Sequence, residues 1–326
     1  MRICSKILCI LLLLFFPCRQ ACCWGFYGHR TINQYAIFLL PPEMMLLYKP
    51  YAAFISEHAV DPDKRRYILP QEGARHYIDI DHYGKYPFTA LPRKWDDAVA
   101  KFSADTLQQY GIGPWWAQVV LRRLTKAFKE KNQVSILKLS ADLGHYIADL
   151  HVPLHTSTNH NGQLTGQEGI HAFWESRIPE LLADKEWDFF IGKAVYISNP
   201  ETFIWQRVLE SAAAADTVLQ TEKELSRQFP ADQKFSFEER NGIVIRQYSA
   251  AYAYAYNKKL NGMIERRMRQ SIAAVASLWY TAWVNAGQPD LSTLGNKTFS
   301  AADLKEFETL NQAWRNSPLQ SREHEE

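Results

Sequence analysis

Five side chains of the types that bind metal ions lie within residues 138–175 of this chain, and they are regularly spaced. Two pairs repeat a spacing of four, which puts both members of a pair on one helix face. A single histidine on an apolar helix is ordinarily a packing or capping residue, but such an ordered set is hard to obtain by chance. Histidine and carboxylate ligands without cysteine are typical of a catalytic zinc site. The five residues are His145, Asp149, His155, His171 and Glu175.

Two helices are expected to position these ligands. The run over 140–151 predicts one helix, which should stop before Pro153. Apolar residues recur at helical intervals around His171, so we expect a second helix there. His151 lies two residues past the first pair and faces another side of its helix. We therefore interpret His151 as a packing residue rather than a ligand.

Residues 1–23 have the features of a secretory signal peptide. Basic residues precede a short apolar run, and small residues precede Trp24. We expect cleavage before Trp24 and a periplasmic or secreted mature protein. All five cysteines of the chain lie in this leader, so the mature chain would form no disulfide.

Lipid attachment at Cys22 or Cys23 is the alternative interpretation of the leader. Arg19 and Gln20 disfavour it, because a lipoprotein signal usually has aliphatic residues there. The apolar run is too short to span a membrane, and no later stretch approaches about eighteen uninterrupted apolar residues. We expect no integral membrane segment after cleavage.

The charge balance gives the chain no long-range attraction for polyanions. Lys and Arg number 37 against 35 Asp and Glu, and removing the leader takes away three basic residues and no acid. The mature net charge is therefore about −1. Any phosphate that the protein binds must be held by a local site.

Long helical patterns and the near absence of alternating β-type patterns predict an all-α bundle. We expect one domain over 24–290 and a polar extension over 291–326 with a short helix near 301–314. Trp115 and Trp116 are interpreted as core or rim residues rather than a base-stacking platform. The predicted helical runs are 114–132, 133–150, 201–229, 237–260 and 263–286.

Further motifs extend the ligand pattern towards the start of the mature chain. They read WGFYGH from Trp24, HAVDPDKRR, RHYIDIDHY, LGHYIADLHVPLH and IHAFWE. In this order they resemble the superfamily of zinc-dependent phospholipases C and single-strand-specific nucleases. The resemblance covers residues 24–175, and residues 176–326 match only in being helical.

The resemblance implies three zinc ions, which together use nine residues. Asp61 is preferred over Asp63 because its interval of fifteen residues to His76 fits the family better. The first zinc would be bound by Asp61, His76, His145 and Asp149, the second by His155, His171 and Glu175, and the third by His29, by Asp149 as a bridging carboxylate, and by the amino group and carbonyl of Trp24.

Two more positions acquire roles from the same resemblance. Lys64 stands where the nucleases carry an arginine that stabilises the phosphate, and Asp79 where they carry a supporting acidic residue. The alternative for this region is a solvated turn in which the aspartates only cap a helix. His58, His82 and His160 have no partner at ligand spacing and are interpreted as surface or structural residues.

The implied activity is hydrolysis of phosphodiesters by a monomer. Closely spaced zinc ions activate a water, so no nucleophilic side chain is needed, and Asp149 as the shared ligand becomes the main catalytic candidate. The substrate stays open between phospholipid and single-stranded nucleic acid. The short interval from Trp24 to His29 is typical of the nucleases, whereas Glu175 is the phospholipase version of the last ligand. The alternative function is a secreted zinc-binding protein without turnover.

The state of the amino terminus is expected to control the third zinc. An amine and a carbonyl of the same residue form a chelate only when Trp24 is the first residue, and a neighbouring zinc readily deprotonates such an amine. Residues retained ahead of Trp24 should cost one zinc and most activity, whereas a tag after Glu326 should be harmless. Zinc content and turnover of the two forms test this. An extended form with three zinc ions and full activity would contradict it.

Overall fold

The computed structural model describes residues 25–240, 242–294 and 298–320. In this part of the chain the structure is predominantly helical, with one antiparallel sheet of two strands, which confirms the predicted all-α fold. No helix of the described part is both long and apolar enough to cross a membrane. The predicted signal peptide and Trp24 lie outside the described residues.

Helices of very different length make up most of the chain. In chain order, the α-helices are α1 (Gly25–Ile37), α2 (Pro42–Tyr48), α3 (Ala52–His58), α4 (Asp61–Arg65), α5 (Trp95–Phe102), α6 (Ala104–Tyr110), α7 (Gly113–Lys129), α8 (Gln133–Asp149), α9 (Ile170–Ala172), α10 (Ile178–Glu186), α11 (Pro200–Gln228), α12 (Ala250–Lys259), α13 (Met263–Asn285) and α14 (Ala301–Asn316). Short 3-10 turns cover Pro70–Arg75, Ile80–Tyr83, Pro153–Thr156 and Ala231–Gln233, and a π-helical turn covers Phe173–Arg177. The strands are β1 (Phe235–Arg240) and β2 (Ile243–Tyr248).

Helix α8 is the central element, packed against α1, α3, α7 and α13. Its start is fixed by Asn132, whose side chain accepts a hydrogen bond of 3.0 Å from the Ser135 N–H. These neighbours cover it on several sides, so most of its second half is buried. The predicted pair of helices at 114–132 and 133–150 is confirmed.

Helix α13 supplies the opposite wall of the core. One apolar face of α13 is buried along its whole length, and the Trp279 indole donates a hydrogen bond of 3.0 Å to the Ser140 carbonyl of α8. Helix α13, within the predicted run 263–286, therefore faces the core. The buried residues of that face are Ile264, Met268, Ile272, Val275, Trp279 and Trp283.

The helix predicted over 237–260 is wrong in its first half. Residues 235–248 form a hairpin in which Phe235 pairs with Tyr248 and Arg240 with Ile243. Its sequence contains Asn241-Gly242, the commonest signal for a two-residue hairpin turn, and Gly242 has φ +78°. The run of β-branched residues from Ile243 favours a strand. Only the Ala-rich and Tyr-rich second half is helical, as α12.

Helix α14 confirms the helix predicted near 301–314. It begins with a capping box in which Ser300 and Asp303 bond each other's backbone N–H groups. None of its residues is buried, and it packs chiefly on α4. The division of the chain at residue 290 stays a prediction.

Close packing of α1 on α8 depends on Gly144. A Cβ at this position would lie 2.1 Å from the Asn33 Oδ1 of α1. Asn33 is held there because its amide donates a hydrogen bond of 3.1 Å to the His29 carbonyl. The glycine therefore lets two ligand-bearing helices approach each other.

We expect Gly144→Ala to destabilise the protein by about 2 kcal/mol, although alanine favours a helix, because the steric clash forces the helices apart. Denaturant unfolding measures this loss. Lys126→Ala, at a side chain that is 75% exposed, is the control and should change stability by less than about 0.5 kcal/mol. Asn33→Ala removes the side chain that the new Cβ would meet. The double variant of Gly144→Ala with Asn33→Ala should therefore lose less stability than the two single variants together.

Candidate metal centre

Eight buried side chains converge between α1, α4 and α8. Each is 0% or 1% exposed. They come from α1, α4, the ends of two 3-10 turns, α8, α9 and the π-helical turn. They are His29, Asp63, His76, His145, Asp149, His155, His171 and Glu175.

These side chains form three groups, each of which could hold a metal ion. Within a group the ligand atoms all lie within 4.8 Å of one another. His145 belongs to two groups, so those two are contiguous. The groups are Asp63 with His76 and His145, His29 with His145 and Asp149, and His155 with His171 and Glu175.

The Asp149 carboxylate links the first two groups. Its Oδ1 lies 3.3 Å from His29 Nε2 and 3.9 Å from His155 Nδ1. Its Oδ2 lies 3.0 Å from His76 Nδ1 and 3.2 Å from His145 Nε2. The carboxylate thus faces ligand nitrogens of the first two groups, and the bridging role that the resemblance implies for Asp149 stays a prediction.

The third group is built where a helix begins. Gly169 has φ +88° ahead of α9, and the helix then widens into the π-helical turn that carries Glu175. Glu175 Oε1 lies 3.1 Å from His171 Nε2, and its Oε2 lies 3.3 Å from His155 Nε2. Such π-helical turns are frequent at functional sites.

Backbone carbonyls fix the ring orientation of three histidines. The Nδ1 atoms of His145, His155 and His171 lie 2.8, 2.8 and 3.0 Å from the carbonyls of Ala59, His76 and His160. A carbonyl only accepts, so each Nδ1 carries the proton and donates it. In the neutral ring, Nε2 then presents its lone pair to the cluster, which is how metal-binding histidines are commonly oriented.

His76 is oriented the other way. Its Nδ1 faces Asp149, and its Nε2 lies 3.8 Å from Glu72 Oε1. Glu72 is fully buried and accepts short hydrogen bonds from Tyr146 and Arg75. Sequence reasoning missed Glu72, although its spacing of four from His76 repeats the spacing of the recognised pairs.

The electrostatics keep the carboxylates ionised. Burial alone would raise the pKa of Asp149, but His145 and His155 hold it well below its usual range. Burial is likewise outweighed at Glu175, where His171 and His155 lower the pKa to about 2. At His145 burial opposes the charged form, yet Asp149 and Asp63 raise its pKa to about 9.

The donor atoms fit divalent cations. Among the described residues, both oxygens of Asp63 and of Glu175 make no hydrogen bond, and neither does Asp149 Oδ1 or either ring nitrogen of His29. Leaving buried charged oxygens without partners costs several kcal/mol each, and a bound cation would remove that cost. Nitrogen and oxygen donors without sulfur suit zinc.

The choice of Asp61 over Asp63 needs correction. Asp61 is bound by His58 and Lys64, at 2.6 and 3.0 Å, and lies outside the three groups. Burial opposes ionisation of Asp61, but His58 and Lys64 lower its pKa. Asp63 instead reaches to 3.7 Å from both His76 Nδ1 and His145 Nε2. Two residues apart on the short helix α4, the aspartates face different sides.

Two further residues singled out from the sequence, His151 and Asp79, are also buried. His151 donates from Nδ1 to the Ile147 carbonyl at 2.7 Å and belongs to none of the three groups, in line with a packing role. Asp79 is buried, and its N–H donates to the Tyr110 carbonyl at 2.7 Å. Its supporting role stays a prediction.

The ligand role of Trp24 also stays a prediction, because the residue lies outside the described part. Its neighbour Gly25 begins α1 beside Ser176, where an added Cβ would lie 2.9 Å from the Ser176 Oγ. Ser176 directly follows Glu175. The start of α1 therefore lies next to the group that contains Glu175.

No protein-family model matches the chain, and no curated protein matches it significantly.

The corrected ligand can be tested with paired variants. Asp63→Asn should lower the zinc content, because a neutral amide replaces a buried anionic ligand, whereas Asp61→Asn should keep it. Metal analysis after dialysis and a zinc competition assay measure the difference, with a loss of roughly 10–100-fold in affinity expected at the first zinc for Asp63→Asn. Equal loss in both variants, or loss only in Asp61→Asn, would restore the original assignment.

Proposed function

We propose that this chain is a secreted zinc-dependent hydrolase of phosphodiesters, related to the zinc-dependent phospholipases C and single-strand-specific nucleases. One observation carries the proposal. Three buried groups of histidine and carboxylate ligands lie side by side, two of them share His145, and Asp149 contacts histidines of both of these. Structural zinc sites are ordinarily single and closed, so a multinuclear set without cysteine favours catalysis.

The site residues would divide the work as follows. Bound zinc ions supply Lewis acidity and lower the pKa of a coordinated water. Asp149 would supply its carboxylate to neighbouring ions. The carbonyl-bound histidines keep Nε2 directed inward, so the ligand geometry is set before any substrate arrives.

Arg66 replaces Lys64 as the candidate that stabilises the phosphoryl group. With Asp63 as the ligand, the residue three positions later is Arg66, which is buried with Nη1 4.0 Å from Asp63 Oδ1. A guanidinium there can bond two phosphoryl oxygens at once. The Lys64 ammonium is already bound by Asp61 and Asn311.

Phospholipid and single-stranded nucleic acid are the two substrate classes that remain. We expect export by the predicted signal peptide and action as a monomer. A zinc-binding protein without turnover is the second candidate function, and the nearly complete burial of all eight ligands favours it. A site that never admits substrate would need no exposed ligand.

The experiment is release of product from single-stranded DNA, RNA and phosphatidylcholine by the purified mature protein. Close to three zinc per chain and activity that a chelator abolishes are expected. Asp149→Asn should lose both zinc and activity. A chain that holds zinc but hydrolyses none of the three would support the second candidate function.

Arg66→Gln separates the transition-state role from the metal-binding role. We expect kcat/KM to fall by roughly 100-fold with the zinc content unchanged, because the substitution removes a charge that stabilises the developing phosphoryl charge. Arg122→Gln, at an exposed arginine on α7, is the control for loss of one positive charge. An unchanged rate in Arg66→Gln would exclude this role.

A further inference from the structure

The C-terminal strap, residues 301–320, lies against the elements that carry the metal ligands. It consists of α14 and the few residues after it, and it packs on α4. The backbone N–H of Gln320 donates to the Arg66 carbonyl at 3.0 Å. No residue of α14 is buried, so the strap adds little to the core.

Two contacts of the strap place an oxygen acceptor on a lysine of the body. Glu306 accepts a hydrogen bond of 2.7 Å from Lys138 of α8. Asn311 Oδ1 accepts one of 2.8 Å from Lys64, which directly follows the ligand Asp63. Both lysines therefore already bind oxygen atoms in this conformation.

Two other contacts place an aromatic ring of the strap on an aromatic ring of the body. Phe307 lies 4.3 Å from the His58 ring and 5.5 Å from Phe54. Trp314 lies 5.2 Å from Phe26, which is about one turn ahead of the ligand position 29 on α1. Aromatic platforms and lysines thus alternate beneath the strap.

The strap does not fill the groove in which it lies. A cavity of 630 Å³ on one side is lined by Arg65, Arg75, Trp116, Arg123, Lys138 and Glu306. In it the Trp116 ring contacts two guanidinium groups, at 3.8 Å for Arg75 and 5.1 Å for Arg123. A second cavity, of 470 Å³, lies next to His58 and Phe307. The cavities beside the strap are thus bordered by basic and aromatic side chains, together with Asp142 and the strap's own acidic residues.

We propose that the strap occupies the surface on which a single-stranded nucleic acid binds, and that it must leave before substrate reaches the cluster. The proposal rests on the proposed function and names its substrate class. Along the strap the order is acceptor at 306, ring at 307, acceptor at 311 and ring at 314. A single strand presents phosphate oxygens and bases in the same alternation, and such strands bind to lysines and aromatic rings.

If only molecules with an open strap bind the strand, the apparent affinity for the strand equals the intrinsic affinity multiplied by the fraction of open molecules. The main test is a double variant, Asn311→Ala with Trp314→Ala, which loosens the strap without changing charge. The probe is an oligothymidylate of about ten nucleotides with a phosphorothioate backbone, and fluorescence anisotropy measures its binding. We expect binding about tenfold tighter than for the full chain. Gln312→Ala is the control, because Gln312 is exposed and bonds Glu308 of the same helix.

A chain that stops after Ser300 is the second variant. It loses six acidic and three basic residues, so its charge alone favours nucleic acid. A gain confined to the truncated chain and abolished by high salt would therefore overturn the proposal, as would no gain in either variant. Lys138→Ala in the truncated chain should remove much of the gain, whereas Lys126→Ala on α7 should not.

A lipid surface is tested in parallel with vesicles of phosphatidylcholine. Gain of vesicle binding without gain of oligonucleotide binding would overturn the proposal. The binding assay needs no turnover, so the two proposals fail separately. If a strap variant binds the oligonucleotide more tightly but no form of the protein hydrolyses phosphodiesters, the strap proposal is supported and the proposed hydrolase function is refuted. If the protein hydrolyses phosphodiesters but the strap variants leave its oligonucleotide affinity unchanged, only the strap proposal is refuted.

Discussion

Burial of three carboxyl groups in one place is the constraint on which this structure depends. Asp63, Asp149 and Glu175 are each at most 1% exposed, and imidazoles surround them. Buried charges are tolerated only when they are paired or bound to a metal. The five histidines partly offset the charge, but several carboxylate oxygens make no hydrogen bond in the described part of the chain. Bound cations would offset the cost of burying these oxygens and so account for the arrangement.

The histidines are held by distant parts of the backbone rather than by their own helices. His145 is oriented by the carbonyl of Ala59, His155 by that of His76, and His171 by that of His160. Each bond joins a ligand to a segment that leads into or follows another ligand. The cluster therefore forms as a unit, because misplacing one connecting segment misorients a ring that belongs to another.

Pairs of ligands on regular helices could be predicted from the sequence, since a spacing of four fixes their common face. The four-residue spacing brought His145 and Asp149 together, and His171 and Glu175, without any tertiary information. Asp61 and Asp63 could not be separated in this way. Helix α4 has only five residues, and its orientation is decided by His58 and Lys64, which bind one aspartate and leave the other to the cluster.

The hairpin and Glu72 escaped prediction for different physical reasons. The hairpin was obscured by helical flanks, although its Asn-Gly sequence was a local signal that should have outweighed them. Glu72 acts only through His76, and its burial depends on Tyr146 of α8, a contact between residues 74 positions apart. Such a long-range contact cannot be predicted from residue spacing in the sequence.

None of the eight ligands lies after Glu175 in the described part of the chain, yet helices α11 and α13 bond the turn that follows α8. A helix ends with carbonyls that lack partners, and α8 ends directly between the ligands Asp149 and His155. Ser211 of α11 donates to the Leu150 carbonyl at 2.6 Å, and Arg267 of α13 donates to the His151 carbonyl at 2.9 Å. These two bonds fix the direction in which the chain leaves α8. The helices from α11 to α13 are therefore a scaffold that supports the centre in part through these two carbonyl groups.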